Sequence, residues 1–178
     1  MPVATAHQTI GPYWHLIEDE AWSDLTRLRA NASNAQGESI VLTGTIRDGA
    51  GEPITDAAVE IWQASPPASD SFPGFGRCRT NGSGGFRFIT LKPGPVPGLG
   101  NAQQAPHVAI TIMARGLLQG LRTRLYFQDE PLNETDPVLS LIDDPARRQT
   151  LIARPVAAGM WHMDIRLQGQ DETVFMEI

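Results

Sequence analysis

The sequence predicts an all-β fold: an antiparallel β-sandwich with an irregular N-terminal arm and one short helix. Three observations predict it. The chain of 178 residues holds 17 glycines and 14 prolines, which supply many turns and interrupt long helices. Apolar and polar residues alternate in a series of short runs, the period of a half-buried strand. A full set of helix signals occurs once, late in the chain.

The arm covers residues 1–38 and the sandwich domain 39–178. In the arm, His7-Gln8-Thr9-Ile10-Gly11-Pro12-Tyr13-Trp14-His15 gathers aromatics and histidines around a Gly-Pro turn. Residues 18–31 have room for one short helix, and residues 31–38 are a polar loop. Strands then begin. Ile40 to Ile46 runs into Asp48-Gly49-Ala50-Gly51, a hairpin signal. Val59-Glu60-Ile61-Trp62-Gln63 alternates with β-branched and aromatic residues suited to a pleated surface. Phe86 to Thr90 follows the turn Asn81-Gly82-Ser83-Gly84-Gly85. Val108 to Met113, Thr123 to Phe127, Trp161 to Leu167 and Thr173 to Phe175 complete the set. The helix has Asp144 as N-cap, Pro145 at its first position and Ala146 to Ala153 as its body, and it stops before Pro155. No internal repeat and no interdomain linker interrupts this series.

Composition narrows the function. Apolar residues make up 41 % and charged residues 19 %, enough for one core and too little charge for a disordered tail. A net charge of −6 and a pI near 5.1 argue against nucleic acid and against an anionic membrane face as partners. The segment Met1-Pro2-Val3-Ala4-Thr5 has neither the basic nor the apolar region of a secretory signal, and the lone Cys78 has no disulfide partner in the chain. A cytoplasmic protein is expected, so the sequons at Asn31, Asn81 and Asn133 count as chance matches.

Most local motifs have plain structural readings. Gly74-Phe75-Gly76-Arg77 and Gly82-Ser83-Gly84-Gly85 do not open a helix after a strand, so they are turns and not phosphate loops. Cys78 is a small buried or interfacial thiol. Asp143-Asp144 with Arg147-Arg148 makes a solvated helix start, and Asp129-Glu130 lies in a loop with nothing to fix a separation suited to acid–base work.

A longer series is more informative. Glu60-Ile61-Trp62-Gln63-Ala64, Gly76-Arg77-Cys78-Arg79-Thr80, Phe86 through Lys92-Pro93-Gly94-Pro95, Ala105-Pro106-His107-Val108-Ala109 and Arg124-Leu125-Tyr126-Phe127 occur in this order. The series resembles the intradiol ring-cleaving dioxygenases, and the likeness runs from Gln8 to Phe175. The resemblance implies a non-haem ferric ion held by two tyrosinates and two histidines, which opens a catechol between its hydroxyls with O2. Ferric iron is a hard acid that favours anionic oxygen with imidazole beside it. In the family one tyrosine follows Lys-Pro-Gly-Pro and the histidines form His-X-His, whose i and i+2 side chains share one strand face.

This sequence departs from that pattern. Val96 stands where the tyrosine belongs and Ala109 where the second histidine belongs, while residues 64–75 contain no tyrosine. Tyr13 and Tyr126, the two tyrosines of the chain, lie outside the ligand motifs, which leaves His107 as a packed relic. The resemblance therefore narrows to family members built from two homologous chains, of which only the β chain binds iron. It implies that this chain is the α subunit, with no cofactor of its own. Fe(III) sits in the partner β chain, several αβ units assemble, and the substrate is a small catechol. It also implies that Thr9, Gly11, Pro12, Tyr13 and Arg115 help line the substrate pocket. The face around His107, Arg115 and the arm is expected near the partner. The residue types suit these roles: a Gly-Pro pair lets backbone approach a planar ring, Tyr13 offers a ring face and a hydroxyl, and arginine pairs with a carboxylate. Arg124 is the next candidate for that carboxylate.

Two other readings compete. Thr43-Gly44-Thr45-Ile46, Gly51-Glu52-Pro53-Ile54 and Val59-Glu60-Ile61 fit a stand-alone transthyretin-like or carbohydrate-binding sandwich. An independent metalloenzyme would have to use His7, His15, His107 and Asp or Glu ligands at scattered spacing.

Overall fold

The computed structural model describes residues 20–27, 35–128 and 130–177. Eight strands form one continuous series in the order β3-β2-β7-β8-β9-β10-β1-β4, and the short pair β5-β6 stands apart. The strands are β1 (Ser39–Arg47), β2 (Ala58–Trp62), β3 (Phe75–Arg79), β4 (Gly85–Leu91), β5 (Val96–Pro97), β6 (Gln103–Gln104), β7 (His107–Met113), β8 (Leu121–Phe127), β9 (Ile152–Ala157) and β10 (Met160–Arg166). Strand β9 pairs with β8 on one side and β10 on the other, so it joins the two leaves of the sandwich.

The alternating sequence produces the core. Along β1 every second residue is buried, which turns Ile40, Leu42, Gly44 and Ile46 inward. On the other leaf Val59 and Ile61 of β2 and Val108, Ile110 and Ile112 of β7 do the same. The inward sets of both leaves belong to one apolar cluster, as a two-layer fold requires. Where the leaves join, Phe127 and Trp161 meet edge to face with centroids 5.0 Å apart. Lys92 Nζ lies over both rings, 3.2 Å and 3.9 Å from their centroids. Burial pushes the Lys92 ammonium down to about 8, against the pull of Glu38 and Glu130.

The sandwich departs from the sequence reading in four elements. It is mixed and not wholly antiparallel: β1 with β10 and β8 with β9 run parallel. Of Gly74-Phe75-Gly76-Arg77, taken as a turn, the last three residues lie in strand β3, Phe75–Arg79. The helix α1 spans only Pro145–Gln149, with the Asp144 side chain accepting from the Ala146 amide at 2.8 Å as its cap. The residues after it enter β9, Pro155 included. Thr173 to Phe175 forms no ladder but runs beside β8, where Thr123 Oγ1 donates to the Val174 carbonyl and the Met176 amide to the Arg122 carbonyl. The turn at Asp48–Gly51 and the Asn81 loop form as expected, the latter closed by Asn81 Oδ1 accepting from the Ser83 and Gly85 amides.

Before β1, a 3-10 turn at Glu20–Ser23 leads to Leu25, which is fully buried and donates its amide to the Ile89 carbonyl. Among the described residues no helix is long and apolar enough to cross a membrane.

Candidate functional site

The candidate residues within the described chain lie at two places on the outer surface of the β2–β7–β8 leaf, one at each end of β7. At its start, His107 and Ala109 share the outward face, because i and i+2 of a strand point the same way. In register, Ala109 lies between Trp62 of β2 and Arg124 of β8, and His107 lies opposite Tyr126. Val96 reaches the same place through β5, which pairs with Gln104; Arg124 Nη1 donates to Gln104 Oε1 at 2.7 Å. The loop that carries Val96 is pinned: Gln63 Nε2 donates to the Leu91 and Ser65 carbonyls, and the Gly94 amide donates to Ser65 Oγ at 3.1 Å. Val96 is thus linked to the start of β7 through Gln104 and Arg124, while His107 and Ala109 share one face of the strand.

What fills this site is a hydrogen-bond network. His107 Nδ1 lies 2.8 Å from the Ala105 carbonyl, which only accepts, so that nitrogen carries the proton. Burial pushes the imidazole below its usual value; the Ala105 bond opposes this, Arg124 adds to it and Asp136 opposes it. The ring is therefore neutral near pH 7. Tyr126 is fully buried, donates to Asp136 Oδ1 at 3.2 Å and accepts from Arg124 Nη1 at 3.2 Å. Burial drives its phenol well above the usual range, with Arg124 pulling it down and Asp136 pushing it up, so the phenol stays protonated. The fully buried Asp136 also accepts from the amides of Ala105, Val138 and Leu139 at 2.8–2.9 Å. Four donors on one carboxylate satisfy it without water. Val96 and Ala109 offer no donor atom, and the described residues hold no group of three or more His, Cys, Asp or Glu placed to bind a metal.

At the far end of β7, Arg115 sits in the turn that leads to β8. Gly116 takes the left-handed conformation there at φ +85°, and the Leu117 amide donates to the Ala114 carbonyl. Arg115 is exposed and pairs through Nε with Asp56 Oδ2. His107 and Arg115 are thus separated by the length of β7, about 20 Å at ~3.3 Å per residue, so they do not share one compact face. Arg124 belongs to the His107 end and is engaged by Gln104 and Tyr126. Thr9, Gly11, Pro12 and Tyr13 lie outside the described residues, as do His7 and His15.

Sequence reasoning missed Asp136 and Asp56. Asp136 is linked to Ala105 across 31 positions, with no local motif to announce it. Asp56 meets Arg115 only because β2 and β7 pair, across 59 positions of sequence, in a register that no local motif announces.

The chain resembles known proteins throughout its length. A family model described as Dioxygenase matches residues 10–169. The protocatechuate 3,4-dioxygenase alpha chain of Pseudomonas putida is 36 % identical over 197 residues, covering 97 % of this chain and 96 % of that protein. The beta chain of the same enzyme from Burkholderia cepacia is 32 % identical over 173 residues, covering 84 % of this chain and 73 % of that one. Among solved structures, the dioxygenase domain of a dioxygenase–carbohydrate-binding fusion from Streptomyces sp. SirexAA-E superposes with a TM-score of 0.62. That domain is 28 % identical, and the match covers 83 % of this chain and 88 % of that domain.

Proposed function

The chain belongs to the intradiol ring-cleaving dioxygenase family, and on that footing we propose that it is the α subunit of a protocatechuate 3,4-dioxygenase. It holds no iron and works only with a homologous β chain that carries Fe(III). Together they add both atoms of O2 across the bond between the two hydroxyl-bearing carbons of protocatechuate, giving 3-carboxy-cis,cis-muconate.

The observation that carries this reading is a ligand-bearing scaffold kept in place while its side chains have lost the means to ligate. The pinned loop, the β5–β6 pair and the start of β7 are built, yet Val96 and Ala109 are hydrocarbon and residues 64–75 hold no phenol. Tyr126 is a protonated phenol tied to a carboxylate and a guanidinium. A hard ferric ion favours anionic oxygen, so these residues do not fit it, and no step of the reaction passes through this chain's own relic site.

This chain instead supplies shape and charge to the partner's pocket. Thr9, Gly11, Pro12 and Tyr13 present backbone and one aromatic ring to the substrate plane. Arg115 pairs with the carboxylate that distinguishes protocatechuate from catechol, the recognition for which a planar guanidinium is best suited. Several αβ units assemble in the cytoplasm. The acidic balance of the chain, −6, suits neither nucleic acid nor an anionic membrane.

Co-expression with the β chain tests the proposal. The two chains should co-purify, and ring cleavage should appear only in the complex. Removing residues 2–13 should lower turnover while the iron content of the complex stays unchanged. A monodisperse monomer that ignores the β chain would overturn the reading in favour of a stand-alone binding module. Unchanged turnover after the deletion would remove the arm from the pocket.

A further inference from the structure

Arg115 is held in an unusual way for a surface arginine at a turn. Its side chain is 65 % exposed, yet its Nε is committed to Asp56 Oδ2, and Asp56 is itself only 33 % exposed. The pair is not a chance meeting of flexible side chains. The β2–β7 ladder ends at Ala58 opposite Met113, and Asp56 and Arg115 each lie two residues beyond it, in the turns at the same end of the two strands. On one side the fully buried Ala57 and Val59 fix the backbone beside Asp56. On the other, Gly116 at φ +85° and the Ala114–Leu117 turn bond fix the backbone beside Arg115. The guanidinium is thus held through its inner nitrogen while the side chain as a whole stays 65 % exposed.

We propose that Asp56 is a positioning residue: it orients the Arg115 guanidinium so that its outer edge meets the substrate carboxylate in the assembled enzyme. The inference rests on the reading that Arg115 holds this carboxylate. A free arginine must lose several rotamers when it pairs, whereas one already tethered through Nε loses fewer. The two nitrogens of the outer edge match the two oxygens of a carboxylate. Asp56 also exerts an opposing effect, since its negative charge repels an approaching anion. The two effects have opposite signs, so the Michaelis constant tells which prevails. Orientation should win, because the Nε bond is directional and short-range while the partly exposed charge is screened by solvent.

The experiment uses the full complex with the iron-bearing β chain and compares Asp56→Asn, Asp56→Glu and Arg115→Ala on protocatechuate and on catechol. Losing one charge-assisted contact of this kind should raise KM for protocatechuate roughly three- to tenfold in Asp56→Asn, with kcat little changed. Catechol kinetics should not move, iron content and assembly should match the parent, and Asp56→Glu should recover most of the loss. Arg115→Ala should show the same substrate contrast more strongly. If Arg115→Ala affects both substrates equally, the reading of Arg115 itself fails. If Arg115→Ala is selective but Asp56→Asn leaves or lowers KM for protocatechuate, the role given to Asp56 is overturned while that of Arg115 stands. Loss of assembly in both Asp56 variants, or an equal effect on both substrates, would make Asp56 a structural residue and likewise overturn the proposal.

Discussion

A neutral imidazole buried beside a guanidinium ties stability to pH, and His107 is in that position. Burial chiefly, with Arg124, keeps its folded pKa below the usual value of 6.5. As pH falls through that value the unfolded chain binds the proton and the folded chain does not. The contribution of His107 is therefore intact above this range and is lost as pH drops further. Thermal melts between about pH 7.5 and pH 5 should show a steeper fall for the parent than for His107→Gln, whose amide cannot titrate. Parallel curves would mean that His107 is not held neutral. At this scale the sequence exposed the absences: Val96 and Ala109 stand out because Lys92-Pro93-Gly94-Pro95 and His107 fix the frame in which a donor is missing. What replaced the donors was hidden, because Asp136 joins Ala105 and Tyr126 only after long-range folding.

Strands were legible where each residue's environment followed local alternation, as in β1, β4 and β7. They were not where tertiary packing chose the residue. Gly76 lies mid-strand in β3 and looks like a turn, but a Cβ there would stand 2.4 Å from Leu25 Cδ1 and 2.9 Å from the Trp22 carbonyl. The glycine is there to let the preceding segment cross the strand. Residues 150–153 have helical propensity, yet Tyr126 and Phe127 of β8 claim Ile152 and Ala153 as ladder partners, and pairing overrides propensity. Gly44 marks another close approach: a Cβ would meet the Met163 carbonyl at 2.3 Å and the Phe86 ring at 2.4 Å. Both neighbours belong to strands paired with β1, so neither moves freely. Gly44→Ala should therefore cost about 1–3 kcal/mol or more in a urea melt, as overpacked cores do. A change within about 0.5 kcal/mol, the range of ordinary surface substitutions, would show that the leaf yields more easily than its contacts suggest.

At the scale of the molecule, one core among the described residues holds the two leaves together. The loop carrying Val96, the start of β7 and the Tyr126–Asp136 network are held by their own hydrogen bonds, none of which needs a metal. The far end of β7 carries the Arg115–Asp56 pair, which makes no bond to that network among the described residues. The proposed division of labour assigns the iron to the partner. The most direct measurement is elemental analysis and visible absorption of this chain expressed alone in iron-replete cells, beside the co-expressed complex. The isolated chain should be colourless with negligible iron, and the complex should show the tyrosinate-to-iron band with iron in step with its β chain. One iron per isolated chain with that absorption band would contradict the account.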